Sequence, residues 1–259
     1  MAEKKRRSVR RNLSSLPAPL IVGALGGSGT RLVTRLTRHA GYWMGDDVAK
    51  SEDSLPFRDF LNRWFGTLLR FPELSLRTHR RICDDFAQAT ADHRAGLDDP
   101  DALWGWKNPR NMWLLPFYAS VFPELKFLHV MRDARDMSLS KNQFFLRSHG
   151  DHVIGTHWRD DPAAAQLEAW ALGNLRAADA RDLAGGGAFL LRYEDLCAEP
   201  ERSVEDLFAF LGAPAVDLEA AIAEIRPSTG IGRGQMISVD TMDAPVVAKA
   251  LHRFGYDTN

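Results

Sequence analysis

The sequence contains little cysteine: Cys83 and Cys197 are the two in a chain of 259 residues. They stand far apart, and neither belongs to a Cys-x-x-Cys pair or to a Cys/His cluster with zinc-ligand spacing. The eight histidines are scattered and form no His-Glu-x-x-His motif. We therefore expect no metal site and a reducing, cytoplasmic location.

Long apolar runs are also missing. The longest candidates, Pro19–Leu25 and Met112–Phe122, fall well short of the roughly 18 residues that a membrane-spanning helix needs. The charged N-terminus is not followed by the apolar segment that a secretory signal requires. The sequence therefore predicts neither a membrane-embedded nor a secreted protein.

The chain has no excess of positive charge, since its formal net charge is −1. Residues 1–12 alone carry +5, which leaves −6 for the rest and argues against a nucleic-acid-binding protein. Residues 1–16 lack hydrophobic periodicity, and we predict a disordered basic tail there. Such a tail is suited either to solubilising the chain or to peripheral contact with an anionic membrane surface.

Short apolar runs alternate with helical patterns along the rest of the chain. Three runs predict buried parallel strands and a fourth, Leu103–Trp106, a weaker one; the three are Leu20–Leu25, Phe127–Met131 and Ala188–Leu191. No Pro/Gly-rich linker interrupts the alternation, so we predict one α/β domain over residues 17–259 with a central parallel sheet. The segment Phe145–Asp161, with its glycines and histidines, is predicted to be a long loop.

A glycine-rich loop joins the first predicted strand to the first predicted helix. It consists of Gly26, Gly27, Ser28, Gly29 and Thr30, followed directly by Arg31. Such a loop exposes backbone N–H groups at a helix N-terminus, which favours a bound phosphate, and its two hydroxyls are further donors. It is neither a Walker A loop, because Gly29 is not followed by lysine, nor a Gly-x-Gly-x-x-Gly fingerprint. A tight turn without a ligand is the alternative interpretation.

Three more motifs stand at the ends of later strands. The first, at the end of the weak strand, is Trp106-Lys107-Asn108-Pro109-Arg110. The second is Arg132, directly after the strand Phe127–Met131, with Ser140 eight residues further on. The third, at the end of the strand Ala188–Leu191, is Leu191-Arg-Tyr-Glu-Asp-Leu196. Together with the glycine loop, and over residues 19–257, these motifs resemble the sulfotransferase superfamily that uses 3′-phosphoadenosine 5′-phosphosulfate (PAPS). The similarity is to bacterial members and to the carbohydrate-sulfotransferase branch. It implies a P-loop-kinase-like, three-layer α/β domain in which helices flank a central parallel sheet.

The resemblance also implies where the donor binds. Its 5′-phosphosulfate would lie on the loop from Gly26 to Arg31, and its 3′-phosphate on Arg132 and Ser140. A planar, always-charged arginine suits a dianionic phosphate. The alternative for Arg132 is a strand-end ion pair with Asp133 or Asp136.

Two further segments resemble parts of the donor site in this superfamily. Tyr193 corresponds to a residue near the adenine, although a packing role is the alternative. Arg233 and Gly234 lie in a glycine-containing basic segment that resembles the loop closing over the 3′-phosphate, and a plain flexible loop is the alternative there.

Sulfuryl transfer needs charge stabilisation at the leaving phosphate and a base for the acceptor proton. Lys107 resembles the lysine that stabilises the leaving group, and Arg31 supplies a second cation. The chain departs from many relatives at Gly27, where they carry a lysine or arginine. For the base we expect Asp53 first, then Glu52 and then Asp47, while a solvated loop carboxylate or helix cap is the alternative for each.

These observations predict an enzyme that transfers a sulfuryl group from PAPS to a hydroxyl of a sugar, lipid or small molecule and releases adenosine 3′,5′-bisphosphate (PAP). A nucleotide-dependent kinase or phosphotransferase is the second candidate, disfavoured by the missing Walker lysine. A non-catalytic PAP-binding relative is the third, and the glycine at position 27 keeps it open. The sequence leaves the acceptor and the oligomeric state open.

Overall fold

A computed structural model describes residues 13–139, 144–212, 217–226, 229–237 and 245–256. Its centre is a four-stranded sheet in which every strand is parallel to its neighbours, in the order β2-β1-β3-β4. The strands are β1 (Leu20–Ala24), β2 (Gly105–Lys107), β3 (Lys126–Met131) and β4 (Ala188–Arg192). The predicted strands are thus all found, and the weak one begins two residues later than expected.

Strand β1 lies between β2 and β3, so the chain crosses from one side of it to the other. Val22 of β1 is in register with Lys107 of β2, and Ala24 is in register with Val130 of β3. In such an open parallel sheet, ligands bind beyond the carboxyl ends of the strands where the strand order reverses. The glycine loop, Lys107 and Arg132 all lie at this edge.

Helices cover both faces of the sheet. Along β1 the side chains alternate, so that Ile21 packs into one buried cluster while Leu20 and Val22 pack into another. The first cluster also contains most of the buried aromatic rings, including Trp104 and Trp106. Two separate cores on opposite faces of one sheet confirm the predicted three-layer α/β architecture.

The described residues contain eleven helices. The helix Pro200–Leu211 shows sequence signals at both ends: it has a proline in its first turn and stops at Gly212, whose φ of 69° is the left-handed conformation of a glycine cap. The helices are α1 (Thr30–His39), α2 (Leu55–Leu68), α3 (Leu76–His93), α4 (Leu115–Val121), α5 (Ala134–Ser138), α6 (Phe144–Val153), α7 (Pro162–Ala180), α8 (Tyr193–Ala198), α9 (Pro200–Leu211), α10 (Leu218–Ala223) and α11 (Pro245–Arg253). Short 3₁₀ helices span Leu13–Ser15, Pro109–Trp113, Thr156–Arg159, Arg181–Leu183 and Arg233–Met236.

The end of the predicted tail is packed against the body. Residues Leu13–Ser15 form a 3₁₀ turn, and Leu13 is buried in the same cluster as Trp104. The indole of Trp104 donates a hydrogen bond to the carbonyl of Pro17 at 2.8 Å. The apolar contacts of Leu13 therefore stabilise a segment whose sequence shows no hydrophobic periodicity. Residues 1–12 lie outside the described residues.

The prediction of a long loop over Phe145–Asp161 is wrong. Most of the segment is helical, because Phe144–Val153 forms α6 and Thr156–Arg159 forms a 3₁₀ helix. Phe145 stacks on Trp113 with ring centroids 5.6 Å apart. Gly150 makes room for the indole of Trp158, which a Cβ at that position would meet at 2.6 Å. Packing against distant aromatic rings thus overrides the weak local propensity.

Two histidines are buried in the interior as neutral side chains. His129 of β3 is hydrogen-bonded through Nε2 to Asn174 Oδ1 at 2.8 Å, and burial lowers its pKa to about 4. Burial also lowers the pKa of His93, which is 4% exposed, to about 4. The unfolded chain therefore binds more protons than the folded one between about pH 4 and pH 6.5.

We expect the free energy of unfolding to fall as the pH drops from 7 to 5. Because the folded-state pKa of each histidine is depressed, its contribution is present above pH 6.5 and is lost towards pH 4, at about 2 kcal/mol per histidine by pH 5. Urea unfolding at both pH values measures the loss, and His129→Gln should reduce it. An unchanged loss in that variant would show that His129 does not cause it.

Candidate functional site

A cavity of about 1110 Å³ opens at the carboxyl edge of the sheet. Helices α2 and α6 contribute Arg58, Asn62, Phe145 and His149 to its wall. Nine of the predicted site residues line this cavity: Gly26, Gly27, Gly29, Thr30, Arg31, Asp53, Lys107, Arg132 and Tyr193. The sheet therefore brings together residues that are more than 160 positions apart in the sequence.

The glycine loop depends on glycine at two positions. Gly27 and Gly29 have φ angles of 106° and 86°, which other L-residues adopt only with strain. Gly29 is also the N-cap of α1, and a Cβ there would lie 2.3 Å from the Tyr193 ring. The chain thus turns tightly enough for the N-terminus of α1, with its unpaired N–H groups, to face the cavity.

The two hydroxyls of the loop differ in their surroundings. Ser28 is 1% exposed, and its Oγ donates to the carbonyl of Leu25 at 2.8 Å, so this hydroxyl stabilises the turn and does not line the cavity. Thr30 lines the cavity from the first turn of α1, and Arg31 lines it beside Thr30 with an exposed side chain. Of the two hydroxyl-bearing residues of the loop, Thr30 therefore lines the cavity and Ser28 does not.

Lys107 and Asp53 form a buried ion pair in the middle of the cavity wall. Lys107 Nζ donates to Asp53 Oδ1 at 2.8 Å and to the carbonyl of Ser51 at 2.6 Å, while the Ser51 hydroxyl donates to Asp53 Oδ2 at 2.6 Å. The Lys107 side chain is 2% exposed and that of Asp53 is 19% exposed. Burial lowers the pKa of Lys107, Asp53 opposes this shift, and the positive charge of Arg31 adds to it.

A hydrogen-bond chain behind the pair fixes the segment that carries Asp53. The next residue, Ser54, caps α2, and its hydroxyl lies 2.9 Å from His93 Nδ1. His93 Nε2 lies 2.8 Å from the carbonyl of Gly105, so the proton on Nε2 is donated there and Nδ1 accepts from Ser54. Neutral His93 therefore connects the start of α2 to strand β2, which carries Lys107.

The structure separates the three carboxylates that the sequence left as candidates for the base. Glu52 has a φ of 64°, does not line the cavity and pairs with Arg38 Nη1 at 2.5 Å. Asp47 lines a different hollow, next to α2 and α3. Asp53 is therefore the only one of the three that lines the cavity, and it is the one in contact with Lys107.

Arg132 lies at the end of β3 with a guanidinium that is poorly satisfied by the protein. Its Nε and Nη2 are buried and have no hydrogen-bond partner among the described residues. The carboxylate of Asp136 is 3.6 Å from Nη2, beyond hydrogen-bonding distance. The guanidinium lies over the ring of Tyr193, with Cζ 5.1 Å from the ring centroid. Tyr193 thus connects Gly29 to Arg132 by packing against both.

Arg233 converges on the same place from the C-terminal part of the chain. A Cβ at Gly230 would lie 2.7 Å from Arg233 Nη2 and 3.0 Å from Arg132 Nη2, so both guanidinium groups flank this glycine. Asp136 holds the segment there by accepting the N–H groups of Gly232 and Gly234 at 2.8 and 2.7 Å. Gly234 is buried against the backbone of α5 and therefore shapes the loop instead of lining the cavity.

Several cavity residues were not identified from the sequence. Arg110 belongs to the quoted motif around Lys107 but received no role, and α2 and α6 contribute Arg58, Asn62, Arg147 and His149. Their signal is weak, because they come from two amphipathic helices, and one of these, α6, lies in the segment expected to be a loop. Ser140, predicted to bind the 3′-phosphate, lies outside the described residues.

The described part of the chain contains no group of three or more His, Cys, Asp or Glu side chains arranged to hold a metal ion. None of its described helices has the combination of length and apolar character needed to cross a bilayer.

Comparison with known proteins places the chain in a family. Residues 30–217, more than half of the chain, match the family model described as "Sulfotransferase family". No curated protein matches the chain by sequence.

Several solved structures share the fold. The sulfotransferase domain from the curacin biosynthetic pathway has a TM-score of 0.59 and 14% identity, over 94% of this chain and 99% of that one. The sulfotransferase domain from the olefin synthase of Synechococcus PCC 7002 has a TM-score of 0.57 and 16% identity, over 93% and 95%. Sulfotransferase STF1 from Mycobacterium tuberculosis H37Rv has a TM-score of 0.53 and 17% identity, over 97% of this chain and 81% of that one. With the family match, the fold and the cavity at the carboxyl edge of its sheet, this chain belongs to the sulfotransferase family of transferases.

Proposed function

We propose that this enzyme transfers a sulfuryl group from PAPS to a hydroxyl of an acceptor molecule, with PAP as the second product. The observation that carries the proposal is the convergence of the glycine loop, the Lys107–Asp53 pair and Arg132 on one cavity. When bound, PAPS supplies the sulfuryl group: the acceptor oxygen forms a new S–O bond as the S–O bond to the donor phosphate breaks, and the electron pair stays on that phosphate.

The residues of the cavity fit the two phosphate-bearing ends of this donor. The glycine loop offers N–H groups at the start of α1, and Thr30 and Arg31 stand beside them. Arg132 has buried N–H groups without partners, and Arg233 stands next to it. We assign the loop to the 5′-phosphosulfate and the two arginines to the 3′-phosphate. Tyr193, packed against both Gly29 and Arg132, lies where the nucleoside would connect them.

Lys107 and Asp53 are assigned to the reaction itself. The ammonium of Lys107 is desolvated, which strengthens its attraction for the charge that develops on the leaving phosphate oxygen. Asp53 accepts the proton of the attacking hydroxyl. Its two oxygens each receive one hydrogen bond in the structure, from Lys107 and Ser51, and a carboxylate oxygen has a second lone pair available for that proton.

The Asp53→Asn variant is expected to lower kcat by about 100-fold or more, since an amide cannot accept the acceptor's proton. Affinity for PAP should stay within about threefold, because Asp53 is not assigned to the donor. Glu52→Gln and Asp47→Asn are matched controls whose carboxylates do not line the cavity, and both should retain kcat. Steady-state release of PAP measures all three variants. Full activity in Asp53→Asn would remove Asp53 as the base.

The activity itself is tested by incubating the protein with sulfur-labelled PAPS and separate sugar, lipid and phenolic hydroxyl acceptors. We expect label to appear on at least one acceptor class together with stoichiometric PAP. Transfer of label from γ-labelled ATP instead would identify a phosphotransferase. Binding of PAP without any transfer or release would identify a non-catalytic relative.

A further inference from the structure

Arg110 occupies the wall of the cavity between Lys107 and helix α2 and is 6% exposed. Its guanidinium donates to Asn108 Oδ1 at 3.2 Å, to Asn62 Oδ1 at 2.9 Å and to the carbonyl of Arg58 at 3.3 Å. His149 Nε2 lies 3.3 Å from its Nη1. The two amides and the carbonyl are uncharged groups. His149 is neutral too, because burial, reinforced by the charge of Arg110, lowers its pKa to about 4.

A buried arginine normally has a carboxylate beside it, since removing its charge from water costs several kcal/mol unless an anion compensates. Arg110 has no ion pair among the described residues. Burial lowers its pKa to about 10, so it is still charged at neutral pH. The protein thus holds an oriented cation in the cavity wall with no described carboxylate within ion-pair distance of it.

Two more cations line the same side of the cavity. Arg58 on α2 and Arg147 on α6 both contribute to the wall, and Arg147 is exposed. Asp53 is the one acidic side chain lining the cavity in the described part of the chain, and Lys107 already pairs with it. Arg58 pairs with Asp59, with Nη2 and Oδ1 3.4 Å apart, so Arg110 is the buried cation on this side that no described carboxylate pairs with.

Asp53 shows how close the charge of Arg110 lies to the site of the reaction. The Asp53 carboxylate contacts Lys107 and also acts electrostatically on Arg110. The glycine loop, Arg132 and Tyr193 follow β1, β3 and β4, whereas Arg110 follows β2 at the edge of the sheet opposite β4, and its partners Arg58, Asn62 and His149 come from α2 and α6. Arg110 and the Lys107–Asp53 pair are thus on the β2 side, away from the residues assigned to the 3′-phosphate, which leaves this side for the acceptor.

We infer that the acceptor of this enzyme carries an anionic group, a carboxylate, phosphate or sulfate ester, that binds Arg110 while its hydroxyl reaches Asp53. Arg147, which is exposed and also lines the cavity, adds attraction for the same charge. The inference rests on the proposed function and narrows its acceptor class. Asn62, Asn108 and His149 are positioning residues, because they hold the guanidinium without neutralising it.

Matched acceptor pairs test the inference with PAPS as the donor. The pairs are 4-hydroxybenzoate with 4-hydroxybenzamide, glucose 6-phosphate with glucose, and methyl glucuronide with methyl glucoside. We expect the anionic member of at least one pair to have a kcat/KM about tenfold or more higher. In Arg110→Gln this preference should disappear, and Arg110→Lys should restore part of it. Equal or better transfer to the neutral members would overturn the inference.

If no member of the panel is an acceptor, a binding measurement tests whether Arg110 binds an anion. With PAP saturating the donor site, crystals soaked in selenate should show an anomalous selenium peak at Arg110, and none in Arg110→Gln. Absence of the peak in the wild-type protein would overturn the inference, and its persistence in Arg110→Gln would mark an adventitious ion only.

Arg176 is a matched control for the substitution. It is also partly buried and held by neutral acceptors, the carbonyls of Trp113 and Leu69 at 2.8 and 3.1 Å, but it does not line the cavity. Arg176→Gln should lower stability and leave the anion preference intact. PAP affinity, measured separately, distinguishes the failures: a protein that binds PAP without an anion preference refutes this inference alone, whereas one that does not bind PAP refutes the proposed function.

Discussion

The Lys107→Met variant should have a kcat about 100- to 1000-fold below that of the wild-type enzyme, with PAP affinity changed by less than about threefold. Lys107 Nζ donates hydrogen bonds to Asp53 and Ser51 in the buried wall of the cavity. A positive charge interacts more strongly there with a negative charge than it does in water. Methionine has a similar length and no charge, so it removes the electrostatic stabilisation while filling most of the space.

Lys126→Met is the matched control for this substitution. Lys126 Nζ donates to the carbonyls of Phe210 and Leu211, and the residue does not line the cavity. Its replacement should lower the melting temperature without a comparable loss of kcat. A Lys107→Met enzyme that is folded, binds PAP and turns over at the wild-type rate would show that Lys107 does not act on the leaving group.

The Arg132→Ala variant is expected to weaken PAP binding by about 100-fold, which corresponds to the loss of two charge-assisted hydrogen bonds to a phosphate. The guanidinium already has its Nε and Nη2 buried without partners, so little in the protein competes with the phosphate for it. Isothermal titration with PAP measures the effect, and adenosine 5′-phosphate, which lacks the 3′-phosphate, should lose little affinity.

Arg135→Ala controls for damage to the end of β3. Arg135 pairs with Asp133, with Nη2 and Oδ2 at 2.7 Å, and it does not line the cavity. Its replacement should leave the PAP dissociation constant within about threefold. If Arg132→Ala bound PAP as tightly as Arg135→Ala, the assignment of Arg132 to the 3′-phosphate would be wrong.

The sequence predicted the sheet well because its signals are local. A strand buried on both faces is a short continuous apolar run, as in Leu20–Ala24, and the glycine at 212 ends a helix by its own conformational freedom. The helix Phe144–Val153 escaped prediction because it is stabilised from outside, by Phe145 on Trp113 and by the fit of Gly150 against Trp158.

The sequence predicted which residues meet at the carboxyl edge of the sheet, because strand order alone determines this. It did not predict which way individual side chains point. Residues that follow parallel strands meet at one edge of the sheet, so Lys107, Arg132 and Tyr193 come together as expected. Glu52 and Asp53 are neighbours in sequence, yet the positive φ of Glu52 directs one towards Arg38 and the other towards Lys107. The charge of Arg110 was also hidden, because the sequence shows neither burial nor a missing counterion.

One calorimetric experiment determines which nucleotide this cavity binds: titration of the protein with PAP, and separately with ATP and Mg²⁺. The convergence of the glycine loop and Arg132 on one cavity, with Arg233 next to Arg132, predicts one PAP molecule bound per chain, at least about tenfold more tightly than ATP. Tight binding of ATP with Mg²⁺ and no detectable binding of PAP would contradict the assignment of this cavity to a sulfuryl donor.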